Sequence, residues 1–374
     1  MTRKPTANQI AIASLFIFLS VALFIHFRSE PAEAAAPVIP MNVTLQAIHD
    51  YGRGHQSARG PSPASLPDET DTQFQAHIAN LLAQENFAEL EQIAQQLRID
   101  KSRVKGGTWK LTLFYDGVGE LPDTNSNSES DWQTHLAIVK KWVAASPQSA
   151  TARISLASAY LNYAYAARGS GYSNSVSDSG WQRFYKRTAW AKSTLLEAAQ
   201  LQEKCPYWYE AMQQVAVDEG WDKQDARALV DQAAAFEPTY YHYYRMYANY
   251  LLPKWYGEEG ETQAFAEETA AKLPEPDASI TYYEIASLIA CQCDSERDSL
   301  TGMSWPRVRD GYENLVRLYG ASELKSNRFA YMSFVAGDKS SAKEAFASIQ
   351  QGRNHRVWRS EANFSSAQAW ANQP

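Results

Sequence analysis

Residues 327–349 read NRFAYMSFVAGDKSSAKEAFASI, and the fold is read outward from them. Ala330 sits on a first helical run, Gly337-Asp338 marks a turn, and Ala342, Phe346 and Ile349 recur along a second run. Small side chains at those positions let two helix axes approach closely, which is the pattern of an αα-hairpin.

The same pattern returns elsewhere. Pro206 and Pro238 lie 32 residues apart, and counting back from Pro238 places Ala226, Val230 and Ala233 at the packing positions of a second helix. Leu156-Ala157 with Tyr160 copies the spacing of a first helix. Tetratricopeptide units repeat about every 34 residues with small residues where the helices touch and a Pro after the second helix. Between these matches, helical periodicity begins at Asp71 with Phe74, Ile78, Leu81 and Leu82, then Phe87, Leu90, Ile93, Ala94 and Leu97. Further runs are expected over 109–118, 132–145, 150–168, 181–202, 206–219, 223–236, 240–252, 262–273, 279–293, 307–319, 324–335 and 340–350. The β-like window Leu111 to Tyr115 has neighbours that suit a helix better. The expectation is an all-α chain: an irregular tetratricopeptide-like αα-solenoid over 71–352, followed by a tail, 353–374. Each unit of such an array needs its neighbours to bury its apolar face.

The N-terminus reads differently. Ile10 to Phe27 is almost wholly apolar, and Arg3 and Lys4 precede it. At 1.5 Å per residue such a run just crosses a hydrocarbon layer of roughly 30 Å. Basic residues ahead of it favour an N-terminus that stays inside and a translocated body. Residues 1–28 are expected to be a signal anchor or a signal peptide. The small-residue run Ala34-Ala35-Ala36 favours cleavage, and the bulky end Leu23 to Phe27 favours retention. Residues 29–70, rich in Pro, Ala, Ser and Gly, read as a flexible linker with at most one short helix near Val43 to Tyr51. The expected location is a single pass of an inner membrane with a periplasmic body, or a soluble periplasmic body after cleavage.

The chain has 374 residues, enough for one large or two modest domains, and 45% hydrophobic residues, an ordinary globular share. A formal net charge of −7 argues against a nucleic-acid partner, because an acidic surface cannot displace counterions from phosphates. The 21 Tyr and 11 Trp mean either tight helix packing or a binding face. Three cysteines, Cys205, Cys291 and Cys293, are too few for a disulfide framework. They read as small buried hydrophobes, with a bridge from Cys205 to one of the others as the alternative.

The stretch from about Phe87 to Cys293 resembles a bacterial family described as a domain of unknown function. The resemblance rests on Ala164 to Tyr172 (AYAARGSGY), Val176 to Trp181 (VSDSGW) with Phe184, Cys205 to Tyr209 (CPYWY), Gly220-Trp221-Asp222 and Leu251 to Gly257 (LLPKWYG). It implies a helical, repeat-like domain in a bacterial envelope setting. It implies no activity and no functional residue.

Candidate binding residues come from two places. The loop Gly169 to Gly180 is longer than a helix-pair turn needs, and Tyr172, Trp181 and Arg183 could line a groove beside it. The alternative is that Trp181 anchors the loop over the helix ends. Tyr240, Tyr243, Tyr244, Tyr247 and Tyr250 form a stripe at helical spacing, which is either a binding face or core. Pro253 ends that helix and leaves Trp255 and Tyr256 at a turn. The binding set is therefore Tyr172, Trp181, Arg183, Tyr243, Tyr247, Trp255 and Tyr256.

Chemistry is weakly signalled. The acid pairs Asp218-Glu219, Glu258-Glu259 and Glu267-Glu268 read as solvated or dipole-matched charges rather than a hydrolytic pair across a cleft. Asp123 to Asp131 imitates a calcium loop without its glycine or closing glutamate, and Cys291-Gln292-Cys293 lacks a second pair of ligands. No catalytic residue, metal ligand or cofactor is assigned. The expected function is a membrane-anchored scaffold for a protein or peptide partner. The alternative is a carbohydrate-binding protein or hydrolase of the cell wall.

Overall fold

The computed structural model describes residues 35–57, 67–122, 127–169, 171, 173–292 and 300–373, with side chains left out at 291 and 292. The chain divides into two units, Met1–Ala35 and Ala36–Pro374, and the described residues fall almost wholly in the second. The apolar run Ile10 to Phe27, Tyr172, Cys293 and the front of the calcium-like loop lie outside the described residues. No helix among the described residues is long and apolar enough to cross a membrane.

The second unit is all-α and repeat-like. Sixteen α-helices and a 3₁₀ turn occur among the described residues, and the one β-type pairing is an isolated bridge between Arg103 and Trp109. The helices are α1 (Met41–Tyr51), α2 (Asp71–Ala83), α3 (Phe87–Asp100), α4 (Lys110–Gly119), α5 (Glu129–Ala145), α6 (Ala150–Arg168), α7 (Asp178–Ala199) and α8 (Pro206–Glu219). They continue as α9 (Lys223–Phe236), α10 (His242–Tyr250), α11 (Glu261–Lys272), α12 (Asp277–Gln292), α13 (Trp305–Tyr319), α14 (Glu323–Ala336), α15 (Lys339–Ser348) and α16 (Glu361–Ala371). The window 111–115 is helical, as its neighbours suggested.

Local chemistry sets the boundaries. Thr70 caps α2 and Ser128 caps α5, each in a reciprocal capping box. The Ser128–Asp131 box uses residues of the calcium-like motif for helix initiation. Pro206 opens α8, where a missing N–H costs nothing, and Gly220 closes it in the left-handed conformation.

Packing follows an alternating scheme. Even-numbered helices from α2 to α16 each touch the next even-numbered one, and odd-numbered helices pack against them as hairpin partners. Close approach needs small residues at specific points: a Cβ on Gly311 of α13 would lie 2.1 Å from the Ser279 carbonyl oxygen of α12. The segment between α3 and α4 docks on the α13–α14 junction, with the Gly106 amide donating to the Tyr319 carbonyl at 3.2 Å and Arg103 lying over the Tyr319 ring.

Two segments placed outside the repeats by their sequence carry packed helices. In 29–70, α1 docks its Ile48 and Tyr51 into the core, where Tyr51 stacks on Trp208 with ring centroids 4.0 Å apart. The Tyr51 hydroxyl accepts from the Cys205 amide at 2.8 Å and donates to its carbonyl at 3.2 Å. In 353–374, α16 buries Phe364, Ala367 and Ala371. Cys205 is a buried free thiol, 3.4 Å from the Tyr115 hydroxyl.

Candidate functional site

The tyrosine stripe of α10 faces inward. Tyr243 and Tyr247 are 0% and 6% exposed, and the Tyr243 hydroxyl is spent on the Glu237 carbonyl at 2.6 Å. A ligand on the surface cannot reach these rings, so the stripe is core and the expectation of a binding face there is corrected.

The other candidates gather where α6, α7 and α8 meet. Among the described residues, the large aromatics that stand well exposed are Tyr165 (38%), Tyr185 (39%) and Trp255 (41%). Gly169, at φ +75°, ends α6 and leaves Tyr165 in its last turn. Ser177 caps α7 by accepting from the Gly180 amide at 3.1 Å, which starts the helix just before Trp181. Trp181 and Tyr185, four residues apart on one helix face, stack with centroids 5.6 Å apart and planes 20° from parallel. Buried Phe184 meets Tyr165 and Trp181 edge-on at 5.3 and 5.6 Å and fixes both rings from below.

Asp218, on the last turn of α8, lies at the centre. The Tyr165 hydroxyl and the Gln214 side-chain amide both donate to its Oδ1 at 2.7 Å. Its Oδ2 is buried and accepts no hydrogen bond. Burial pushes the Asp218 carboxyl up to about 7, against the pull of the Tyr165 and Gln214 hydrogen bonds, and neighbouring Glu219 adds to the rise. Tyr256 closes another side, donating to the Val217 carbonyl at 2.9 Å. The loop that carries it folds back so tightly that a Cβ on Gly257 would sit 1.7 Å from the Leu251 carbonyl oxygen. Arg168 lies 5.4 Å from the centre of the Trp181 ring and donates to the Gly169 and Gly171 carbonyls, and its charge pulls the Asp218 carboxyl down without an ion-pair contact.

The structure thus brings Trp181 and Tyr256 to one surface, with Trp255 the chain neighbour of Tyr256. Arg183 is exposed on α7, next to Trp181 in its first turns. Sequence reading did not single out Tyr165, Tyr185 or the solitary role of Asp218. The available signals were the i, i+4 pairs Trp181–Tyr185 and Gln214–Asp218.

Of the remaining acids in the sequence pairs, Glu258 and Glu259 are exposed, while the others are committed to cations. Glu219 pairs with Lys192 at 2.9 Å, Glu267 with Arg307, and Glu268 with Arg227 and Lys272. A different carboxylate, Glu210 of α8, was not anticipated. Burial lifts it to about 7 although the Tyr240 hydroxyl donates to it at 2.5 Å, and His242 stands 3.8 Å away, itself held well below its ordinary value by burial. Burial also pushes Asp116 of α4 up, with the charge of Glu210 adding to it. These groups sit among the packed even-numbered helices. No group of three or more His, Cys, Asp or Glu among the described residues could hold a metal ion. A separate cleft of about 320 Å³ opens near the C-terminus, between Tyr331, Phe334, Trp358 and Arg356.

Compared with known protein families, curated proteins and solved structures, the chain matches none. Its class is set by the fold alone: an all-helical, repeat-like protein with an aromatic surface patch built around one carboxylate.

Proposed function

We propose that this chain is a binding scaffold, an irregular tetratricopeptide-like solenoid that holds a protein or peptide partner on the patch of Tyr165, Trp181, Tyr185 and Asp218. The observation that carries the reading is the placement of the exposed aromatics. Of the three well-exposed large aromatics among the described residues, Tyr165 and Tyr185 stand together beside Asp218 of α8, and Tyr256, the chain neighbour of the third, Trp255, donates to α8 there. Clustered, partly exposed Tyr and Trp supply large contact area at low entropic cost, which is why such rings dominate binding energy at interfaces.

The apolar run Ile10 to Phe27 supports a setting in which this body is exported and tethered to a bacterial inner membrane, within the family that the sequence resembles. Protease treatment of intact spheroplasts bearing a C-terminal tag tests that part; a protected tag would end it. The binding reading is tested by placing a photo-crosslinking amino acid at Tyr185 and, as a control, at exposed Ile99 of α3. A discrete adduct is expected from position 185 and not from position 99. Equal or absent adducts from position 185 would refute the patch.

A further inference from the structure

We propose that the cup formed by Tyr165, Trp181, Tyr185 and Tyr256 around Asp218 receives the ammonium group of a lysine side chain on the bound peptide. The inference rests on the reading of this patch as a binding surface and names the chemistry it selects.

The starting point is a carboxylate with no cation in ion-pair contact, acted on only at a distance by the Arg168 guanidinium. Asp218 accepts from neutral donors only, the Tyr165 hydroxyl and the Gln214 amide, and both use the same oxygen. The second oxygen has no hydrogen-bond partner and is closed off from water. Its chain neighbour Glu219 has a lysine at 2.9 Å, so the region does not lack the means to pair an acid. The nearest guanidinium, Arg168, is held by two backbone carbonyls and the Trp181 face. A buried carboxylate in this state is costly, and an arriving cation removes the cost.

The walls suit the same guest. Tyrosine and tryptophan faces carry negative potential and attract an ammonium within about 6 Å of a ring centre. The stacked pair Trp181–Tyr185 offers an apolar strip for the four-carbon stem of lysine. Tyr165 and Tyr185 are each more than a third exposed, so their rings are open to an arriving head group beside Asp218. An anionic group would meet Asp218 as a like charge, and a neutral sugar would leave the carboxylate unbalanced. The net charge of −7 favours a basic peptide over an acidic one.

The test titrates the full chain with a short peptide, blocked at both ends and carrying one central lysine, and follows binding by calorimetry. Two companion peptides replace that lysine with norleucine or trimethyl-lysine. The lysine peptide is expected to bind about tenfold more tightly than the norleucine peptide. Trimethyl-lysine is expected to retain that advantage, since ring faces attract a methylated ammonium as well. Asp218→Asn should erase the difference while far-UV dichroism stays unchanged. Equal affinity of lysine and norleucine peptides for the wild-type chain would overturn the inference. So would an unaltered preference in Asp218→Asn, or no binding of any peptide at millimolar concentration. Should both peptides bind equally and Trp181→Ala abolish both, the binding patch survives and the lysine preference does not. Loss of the position-185 crosslink fails the patch itself.

Discussion

Lys325 on α14 and Glu284 on α12 form an ion pair in which the carboxylate has no exposed surface. Arg245 of α10 reaches the same carboxylate, so one acid ties three even-numbered helices together. Burial opposes its ionisation, but Lys325 and then Arg245 overcome that and hold Glu284 down to about 2. Removing the acid leaves two buried cations facing each other. Glu284→Gln should therefore destabilise the fold by about 3–5 kcal/mol, whereas replacing Glu284, Lys325 and Arg245 together by Leu, Met and Met should cost far less. Urea unfolding of the single and triple variants measures both. The sign with pH follows from a lowered folded-state value. The stabilisation is complete above the ordinary 4.5 and is lost as pH falls toward about 2. Glu284→Gln should flatten the wild-type decline over that window.

Gly311→Ala tests the closest helix crossing. The new methyl would meet the Ser279 carbonyl oxygen at 2.1 Å and the Tyr283 Cβ at 2.7 Å, both on α12. Backbone cannot give way as a flexible side chain does. A loss of about 1–3 kcal/mol is expected, seen as a lower Tm, despite the better helix propensity of alanine.

Two tryptophans should behave oppositely. Trp208 stacks on Tyr51 and donates from Nε1 to the Leu195 carbonyl at 2.7 Å. Trp208→Ala should cost about 3–5 kcal/mol. Trp181 is half-buried on the patch, and Trp181→Ala should cost about 1 kcal/mol or less while removing the partner adduct at position 185. Thermal melts alongside crosslinking separate the two roles.

Asp218 should leave a pH signature in stability. The groups facing it are Tyr165 and Arg168 of α6, Tyr185 of α7, Gln214 and Glu219 of α8, and Tyr256. Its folded-state value is raised from 3.8 to about 7, so folding favours the protonated acid. Its contribution is most favourable below 3.8 and is lost as pH rises toward about 7. Asp218→Asn should melt higher than the wild type at pH 8, by about 1–3 kcal/mol in stability, and the gap should close as pH approaches 4. A gap independent of pH would show that the carboxylate titrates normally.

The helical array was readable because apolar residues recurring every three or four positions report burial directly. Ala330, Ala342 and Phe346 are all buried, as their spacing suggested. Periodicity alone cannot say which way a stripe points. Tyr243 and Tyr247 share a helix face with either outcome equally compatible, and only the neighbouring helices decide that they are core. The weight of Asp218 was hidden for a related reason. Its isolation depends on Tyr165, 53 residues earlier, and on Arg168 being engaged elsewhere. Helix α16 escaped notice because Phe364, Ala367 and Ala371 are a sparse apolar set in a segment rich in Ser, Asn and Gln.

The docking of Tyr51 changes where a shortened version of this protein can safely begin. Trimming to Asp71, where continuous periodicity starts, would strip a ring off Trp208 and leave the Cys205 amide unmatched. The smallest self-sufficient fragment must therefore start at or ahead of Pro40, and a cut made nearer the first hairpin would yield a sticky, open-sided product.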